Sequence, residues 1–411
     1  MTAVCLAVRD GVQLRRAWPQ LGFLTEPTVH THSEASEPPT APDHKMFALA
    51  RRARPRLLAV CGRGLCSAQS FKAVVVTEFG GPEVLKLASR HKDELTPAAG
   101  QVVVRVHAAG VNPSDTYVRL GPHGPWAATP HLLPQLPFTP GKDAAGVVVA
   151  IGEGIEDCPI MPAVGSRVYT TNSLSGTYAE YALCEARHVR PLPDSVSFEQ
   201  GACVGVPCAT AHRALFTSCG VTAGDAVFLH GASGAVGLAA VQLAVANGCI
   251  VVGSAGSAEG EAAVLAAGAH AVVNHRSEGY LAAAQTALPT HLNGRFDLVL
   301  EMAAHANLVA DVSLLRRGGQ VAIIGSRAEA VALNPRLLMP NEVCVRGVFL
   351  PSQTDDEFEE THTWLYNKMA RGALKPVVGR VLPLEDAPSA HVEVMTPGSG
   401  GKAGNVVISV G

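Results

Sequence analysis

A cluster of glycines at residues 231–237 is the part of the sequence best suited to bind a phosphate. It reads Gly231-Ala232-Ser233-Gly234-Ala235-Val236-Gly237 and is called the glycine turn below. Glycines allow the chain to turn tightly, and they let a pyrophosphate approach the backbone N–H groups at the start of a helix. The alternative is a tight turn that holds no ligand. The elements on either side of the turn distinguish these two interpretations.

The segments that flank the glycine turn predict a strand–helix–strand unit. An apolar run at residues 226–230 is typical of a buried parallel strand, and it leads directly into the turn. A segment rich in Ala, Leu and Val then ends at residues 247–248 with Asn-Gly, and a second apolar run follows at 249–253. A glycine cluster in this setting predicts a dinucleotide-binding site.

The end of the second predicted strand indicates which dinucleotide is bound. A site that prefers NAD places Asp or Glu there, where the carboxylate accepts a hydrogen bond from the ribose 2′-hydroxyl. Residues 253–257 read Gly-Ser-Ala-Gly-Ser and contain no carboxylate. Glu259 and Glu261 come later and are better explained as acids in the first turn of a helix, where they complement its dipole. The sequence therefore favours NADPH.

Composition restricts the class of protein. A chain of 411 residues with 47% apolar and 16% charged residues predicts a well-buried protein of two domains. The net charge of -3 gives no electrostatic reason to expect nucleic acid as the main partner. The ten cysteines include no Cys-x-x-Cys pair, which argues against a disulfide framework and a zinc ribbon and suggests a reducing compartment.

The longest apolar window does not predict a membrane span. Residues 235–253 approach the ~20 residues that a span requires. Gln242 and the Asn-Gly break lie inside this window, and its two halves have different periodicities. A buried helix followed by a buried strand accounts for the window better, so we expect no transmembrane segment.

The order of the predicted elements divides the chain into two folded domains. Short strands broken by Gly and Pro at residues 71–198 predict a small, mostly antiparallel barrel-like domain. Strands and helices alternate at 199–344, which predicts an α/β domain with a doubly wound parallel sheet. Residues 345–411 resemble neither part strongly, and we assign them to the barrel domain.

Residues 1–70 differ from the rest of the chain. The first 45 residues are rich in Pro, Ser, Thr and His without sustained periodicity, which predicts disorder. From Met46 the chain has many arginines and no acid before Glu78, a composition typical of a mitochondrial targeting peptide or of a basic linker. We therefore expect a cytoplasmic protein, or a mitochondrial one if translation starts at Met46.

The order of short motifs from Phe71 to the C-terminus resembles a known family. The matching stretches are Glu78-Phe79-Gly80-Gly81-Pro82-Glu83-Val84-Leu85, Gly110-Val111-Asn112-Pro113, Thr139-Pro140-Gly141, Tyr178-Ala179-Glu180-Tyr181, His230-Gly231-Ala232-Ser233-Gly234, Asn274-His275-Arg276, Gly325-Ser326-Arg327 and Leu374-Lys375-Pro376. In this order they resemble the zinc-free, zeta-crystallin-type quinone oxidoreductases of the medium-chain dehydrogenase/reductase superfamily. The resemblance implies a Rossmann domain and a GroES-like barrel domain, NADPH, a quinone substrate, and a homo-oligomer, with a tetramer favoured over a dimer.

The same resemblance bears on zinc. The zinc alcohol dehydrogenases of the superfamily have Cys at the position of Asn112 and Gly-His-Glu at the position of Gly141-Lys142-Asp143. A zinc site needs converging Cys, His or carboxylate ligands. Two ligands are replaced and the four-cysteine structural lobe is missing, so we predict that no metal is bound.

The resemblance also implies which residues contact the cofactor and the substrate. The implied NADPH contacts are Tyr117, Ser233, Gly234, Ala235, Val236, Gly256, His275, Asn307, Ile324, Gly325, Ser326, Arg327, Val348, Phe349 and Leu350. A lysine usual in the family is replaced by Ala262, which leaves His275 and Arg276 as donors to the 2′-phosphate. Without a metal, hydrogen bonds must activate the quinone, and we predict that Asn112 and Tyr117 position its ring.

The sequence departs from the family at residues expected to flank the substrate. His123 replaces a usual tyrosine, and the loop at 124–138 is longer, with four prolines and Trp126. An alternative is therefore an NADPH-dependent reductase of activated double bonds, in enals or 2-enoyl thioesters. A third alternative, from a different class, is a crystallin-like structural protein or an AU-rich RNA-binding protein that holds NADPH. No basic patch interleaved with aromatic residues supports RNA binding independently.

Overall fold

The computed structural model of the protein describes residues 69–127, 129–155, 163–327, 330–396 and 403–411. The N-terminal extension, for which we predicted disorder and a targeting segment after Met46, lies outside these ranges except for its last two residues, 69 and 70. Within the described ranges, no helix combines the length and apolar character required to cross a bilayer.

The strands are β1 (Ser70–Val75), β2 (Lys86–His91), β3 (Gln101–Val111), β4 (Ala144–Ile151), β5 (Arg167–Thr170), β6 (Tyr181–Glu185), β7 (Val189–Pro191), β8 (Ala226–Leu229), β9 (Ile250–Ala255), β10 (Ala271–Asn274), β11 (Phe296–Glu301), β12 (Leu315–Ile323), β13 (Cys344–Gly347), β14 (Val378–Pro383) and β15 (Asn405–Ser409). The α-helices are α1 (Pro113–Leu120), α2 (Phe198–Gly201), α3 (Ala209–His212), α4 (Ala235–Ala246), α5 (Ala258–Ala266), α6 (Tyr280–Thr286), α7 (Ala304–Leu314), α8 (Asp355–Ala370) and α9 (Ala387–Met395).

The first large sheet has the strand order β14-β15-β3-β4-β5-β7, and β6 also pairs with β3. All of its strand pairs are antiparallel except β14 with β15. Successive side chains of β3 point to opposite faces of the sheet: Val102, Val104 and Val106 pack in one core cluster, and Val103 is buried in another. The predicted mostly antiparallel, barrel-like domain is confirmed in its fold class.

The second large sheet has the strand order β10-β9-β8-β11-β12-β13, and every pair in it is parallel. Its central strand β8 is completely buried, because helices cover both faces of a parallel sheet. Phe228 of β8 packs against Phe296 of β11, with ring centroids 5.3 Å apart. The predicted Rossmann-type α/β fold is confirmed, and the strand–helix–strand unit is β8, α4 and β9.

The predicted domain boundary at residue 345 needs a correction. It falls inside β13, whose residues Cys344–Gly347 pair with Gln320–Ile323 of β12. Residues 345–347 therefore belong to the parallel sheet and not to the barrel domain. The strand escaped prediction because it is short and lies at the sheet edge, where Val345 alone of its four residues is partly covered.

Candidate active site

The glycine turn leads from β8 into helix α4 and has the geometry of an anion cradle. Gly231 has a φ of +58°, a conformation that favours glycine. Ala232 N donates to Ser254 O at 2.9 Å, which ties the turn to the end of β9. Helix α4 begins at Ala235. Because the first N–H groups of a helix have no acceptor within it, those of this turn can bind an anion.

Gly237 makes this close arrangement feasible. A Cβ atom there would lie 2.4 Å from the carbonyl oxygen of Gly231 and 2.7 Å from Cα of Ala232. Both contacts are with backbone, which cannot move without opening the turn. The third glycine of the turn is therefore required by packing between helix and turn.

A segment distant in sequence closes over the glycine turn. Gly404 N donates to Ser233 O at 2.9 Å, and Gly234 and Gly404 form an isolated parallel bridge. The predicted cofactor contacts Ser233 to Val236 thus lie at the N-terminus of α4, beside the residues that lead into β15. The barrel sheet and the parallel sheet meet at this point.

The end of β9 is lined by His275 and Arg276 rather than by a carboxylate. A Cβ atom on Gly256 would lie 2.6 Å from His275 Nε2 and 3.2 Å from Arg276 Nε, so both side chains rest on the glycine backbone. Burial lowers the pKa of His275, and the charge of Arg276 lowers it further. Glu261 lies in the first turn of α5, as predicted, where its carboxylate accepts a hydrogen bond from Asn274 Nδ2 at 2.7 Å. This geometry suits a phosphate better than a ribose hydroxyl.

The remaining predicted cofactor contacts collect at the carboxyl ends of β11, β12 and β13. Asn307 Nδ2 donates to Glu301 Oε1 at 3.3 Å. Arg327 N lies 3.2 Å from His305 Nδ1, and Arg327 Nη2 donates to Met395 O at 3.1 Å. The others follow the ends of β12 and β13: Ile324, Gly325 and Ser326, and then Val348, Phe349 and Leu350. An open α/β sheet binds its ligand at this edge.

A buried cluster of three titratable side chains lies beneath the edge. His230 Nε2 is 2.8 Å from Asp311 Oδ1 and 3.6 Å from Glu301 Oε2, and their possible ligand atoms all lie within 4.8 Å of one another. Burial raises the pKa of both carboxyl groups to about 7. Such residue types can hold a cation, but Glu301 Oε1 already accepts hydrogen bonds from Ala303 N and Asn307. The cluster therefore holds Asn307, a predicted cofactor contact, through Glu301.

Tyr117 lies on α1, between the barrel and the loop after β12. It is half-buried, and its ring packs edge-on against Trp126 with centroids 6.0 Å apart. Burial raises the pKa of the phenol, and the nearby charge of Arg327 partly offsets this rise. Tyr117 thus lies between Arg327, a predicted cofactor contact, and Trp126 of the loop at 124–138. His123, just before that loop, is exposed.

Asn112 is buried at the start of α1 and is held by two carboxyl groups. Its Nδ2 donates to Asp143 Oδ2 at 2.9 Å, and its backbone N–H donates to Asp115 Oδ2 at 2.8 Å. Val206 N also donates to Asp143 Oδ2, at 3.0 Å. The structure thereby fixes the orientation of the Asn112 amide, and its contact with a substrate ring stays a prediction.

A chain of hydrogen bonds continues from Asp115 into the barrel. Tyr178 Oη donates to Asp115 Oδ2 at 3.2 Å and lies 3.2 Å from His391 Nε2, and His391 Nδ1 is 3.1 Å from Arg119 Nη1. Burial raises the pKa of Asp115 to about 6 and lowers that of His391 to about 3. Sequence reasoning missed this network, because polar residues far apart in the chain give no local signal that they meet.

The raised carboxyl pKa values predict how stability depends on pH. Burial raises the pKa of Asp143 to about 8 and that of Glu301 and Asp311 to about 7, so these carboxyl groups bind more protons in the folded chain than in the unfolded chain. Histidines whose pKa burial lowers have the opposite effect, because the unfolded chain binds protons there that the folded chain does not; this effect fades above pH 7, beyond the ordinary histidine pKa of 6.5. We expect the free energy of unfolding to fall between pH 7 and 8, by about 1 kcal/mol.

Denaturant unfolding at several pH values tests this prediction. Asp143→Asn should flatten the decline, because an amide keeps one oxygen for Asn112 and Val206 and does not ionise. A free energy of unfolding that rises from pH 7 to 8 would contradict the assignment of neutral carboxyl groups.

Comparisons with known proteins find relatives that match most of this chain. Residues 235–367 match the family described as zinc-binding dehydrogenase, and residues 98–194 match the alcohol dehydrogenase GroES-like domain. The chain is 43% identical over 336 residues to the quinone oxidoreductase of Sus scrofa, across 82% of this chain and 97% of that relative. It is 43% identical over 325 residues to the quinone oxidoreductase of Homo sapiens, across 79% and 94%. The structure of Escherichia coli quinone oxidoreductase complexed with NADPH matches with a TM-score of 0.69 and 27% identity, across 82% of this chain and 100% of that one.

Proposed function

Because the chain belongs to the quinone oxidoreductases of the medium-chain dehydrogenase/reductase superfamily, we propose that its two sheets hold NADPH and a quinone between them and that it needs no zinc. It is an enzyme, an NADPH-dependent quinone reductase. The observation that carries the cofactor assignment is the pairing of the glycine turn with His275 and Arg276 at the end of β9. One site suits the pyrophosphate, and the other suits the 2′-phosphate.

A catalytic zinc ion does not fit the residues of this chain. The zinc alcohol dehydrogenases have Cys and His where this chain has Asn112 and Lys142. The Asn112 amide donates to Asp143, and an ammonium group has no lone pair for a metal. Zinc therefore takes no part in the proposed reaction. Metal analysis of the purified protein tests this, and stoichiometric zinc would overturn it.

The residues of the site bind and orient rather than form covalent bonds with the substrate. Bound NADPH supplies the electrons of the reaction. The glycine turn, with His275 and Arg276 beside Gly256, holds the phosphates, and Asn307, fixed by Glu301, contacts the cofactor at the edge of the parallel sheet. Tyr117 and Asn112 orient the quinone, and the ring of Trp126 keeps water from one side of Tyr117. Orientation of this kind lowers the activation barrier, because the entropy of aligning the reactants is lost on binding and not in the reaction step.

A panel of acceptors tests the proposed function. The protein should oxidise NADPH rapidly with ortho-quinones and slowly or not at all with enals and 2-enoyl thioesters. Faster turnover of the enals or thioesters would make the chain a reductase of activated double bonds. Binding of NADPH without turnover of any acceptor would point to a structural or RNA-binding role.

The 2′-phosphate contacts predict a specific loss of cofactor preference. Arg276→Ala should raise the KM for NADPH about tenfold or more and leave the KM for NADH almost unchanged, because only NADPH carries the phosphate that the guanidinium binds. The matched control is Arg295→Ala, on the loop before β11 and outside the predicted site. Equal changes in both KM values would show that Arg276 acts on folding and not on the phosphate.

Assembly and location are proposals drawn from the family and from the composition of the N-terminal extension. We expect a homotetramer, with a dimer as the alternative, and sedimentation of the purified protein distinguishes them. Fluorescent fusions started at Met1 and at Met46 test location. Mitochondrial signal from the second alone would support import from an internal start, and diffuse cytosolic signal from both would contradict import.

A further inference from the structure

We propose that the ammonium group of Lys142 contacts the quinone oxygen that becomes negatively charged, and so takes the part that a metal ion plays in the zinc enzymes of the superfamily. The inference rests on the proposed quinone reductase function. It adds a catalytic residue to those that the family resemblance implies. Three observations carry it: the fixed backbone of Lys142, the surroundings of its side chain, and its lack of an ion-pair partner.

The backbone around Lys142 is held rigidly on both sides. Gly141 has a φ of +96°, and a Cβ atom there would lie 2.2 Å from Thr177 Oγ1. The carbonyl oxygen of Lys142 accepts a hydrogen bond from Thr170 Oγ1 at 2.8 Å, and Asp143, directly before β4, is buried. The direction in which the Lys142 side chain leaves the barrel is therefore determined by the fold.

The side chain of Lys142 reaches the aromatic residues of the proposed substrate site. Its Nζ lies 6.0 Å from the centroid of the Trp126 ring, and that ring packs edge-on against Tyr117. Tyr117 in turn is near the guanidinium of Arg327, which follows β12. Lys142, Trp126 and Tyr117 thus form a continuous set that ends at the predicted cofactor edge.

The charge of Lys142 is not neutralised by a neighbour. Among the described residues, no carboxylate oxygen lies within 4.0 Å of its ammonium group. Its positive charge still acts on Asp115 and Asp143, where it partly offsets the effect of burial on the two carboxyl pKa values. Because burial raises both of these pKa values, the two groups carry less negative charge than exposed carboxylates would, and the ammonium remains available to an anion at the site.

The chemistry of quinone reduction produces such an anion. When hydride passes to one quinone oxygen, the C–H bond of the dihydronicotinamide breaks and an O–H bond forms. The second oxygen then carries the negative charge of the hydroquinone anion, and it takes a proton from solvent. Transfer of a single electron also leaves a negative quinone oxygen. A fixed cation beside that oxygen stabilises the charge where it develops, as electrostatic catalysis requires.

Lys142→Met and Lys142→Arg are the variants that test this inference. Lys142→Met should lower kcat/KM for quinones at least tenfold, with the Kd for NADPH unchanged, and Lys142→Arg should recover most of the loss because it restores the charge. Lys368→Met is the matched control, because Lys368 is also half-buried and lies over a tryptophan, Trp364, at 4.7 Å on helix α8. That control should keep wild-type activity.

Two further measurements separate a catalytic role from a structural one. Trp126→Leu removes the ring but keeps the ammonium, so a smaller loss than in Lys142→Met is expected; an equal loss would mean that Lys142 only holds the loop, which would overturn the proposal. The absorbance of bound 4-nitrophenol reports its ionisation without turnover. Its pKa on the wild-type complex with NADP⁺ should be lower by about one unit or more than on Lys142→Met. Equal nitrophenol pKa values on the two proteins would also overturn the proposal.

Failure of the proposed function gives a different result. Wild-type protein that reduces no quinone would overturn the quinone reductase function, and the nitrophenol pKa would still test whether Lys142 stabilises an anion at the site.

Discussion

Replacing Gly237 by valine is expected to abolish NADPH binding. The new Cβ would meet the carbonyl oxygen of Gly231 at 2.4 Å and Cα of Ala232 at 2.7 Å. Since neither backbone atom can move without breaking the hydrogen bond from Ala232 N to Ser254 O, the turn must open. An open turn no longer aims the N–H groups of α4 at the pyrophosphate. We expect NADPH affinity to fall by about two orders of magnitude or more.

Fluorescence titration with NADPH measures this loss, and thermal unfolding shows whether the domain survives. The control is Gly347→Ala at the end of β13, because a Cβ atom there would meet nothing within 4 Å. That variant should bind NADPH as the wild type does. If Gly237→Val binds NADPH within a fewfold of wild type, the glycine turn is not the pyrophosphate site.

Removing the carboxylate of Glu301 is expected to have the second largest effect. Glu301 is completely buried and accepts hydrogen bonds from Ala303 N and Asn307 Nδ2, with His230 3.6 Å from its other oxygen. Glu301→Ala leaves these donors unpaired in the interior. We expect the free energy of unfolding to fall by about 3 kcal/mol. Asn307 also loses its anchor, so NADPH should bind about tenfold more weakly.

Glu301→Gln is the matched variant. An amide keeps the acceptor oxygen for Ala303 and Asn307 and has almost the same volume, so most of the stability and the NADPH affinity should return. Denaturant unfolding and NADPH titration of both variants decide the question. Equal losses in Glu301→Gln and Glu301→Ala would mean that the fold requires the charge of Glu301 and not its hydrogen bonds with Ala303 and Asn307.

The parallel sheet was predictable because its strands carry their signal locally. Strand β8 is an unbroken apolar run that leads into a glycine cluster, a combination typical of the first strand of a dinucleotide-binding unit. Strand β13, in contrast, was assigned to the wrong domain. Its four residues carry too little pattern to show which sheet they join.

The site was predictable where backbone geometry forms it and not where side chains meet across the fold. The glycine turn and the missing acid after β9 could be read directly from consecutive residues. The hydrogen bonds that hold Asn112 could not, since Asp143 is 31 positions away and His391 of the adjoining network is more distant still. The charge of Lys142 was evident, but its approach to Trp126 depends on the path of a loop that no sequence pattern fixes.

The inner position of β15 in the barrel sheet affects how the protein is made. Val406 of β15 pairs with Val111 of β3, although the two residues are about 295 positions apart in the chain. Strand β6 pairs with Gln101–Arg105 of β3, so during synthesis only the edge at Ala108–Val111 stays unpaired while the whole parallel-sheet domain emerges from the ribosome. An unpaired strand edge can join other chains, so this end of β3 is exposed to aggregation until residues 405–409 insert beside it.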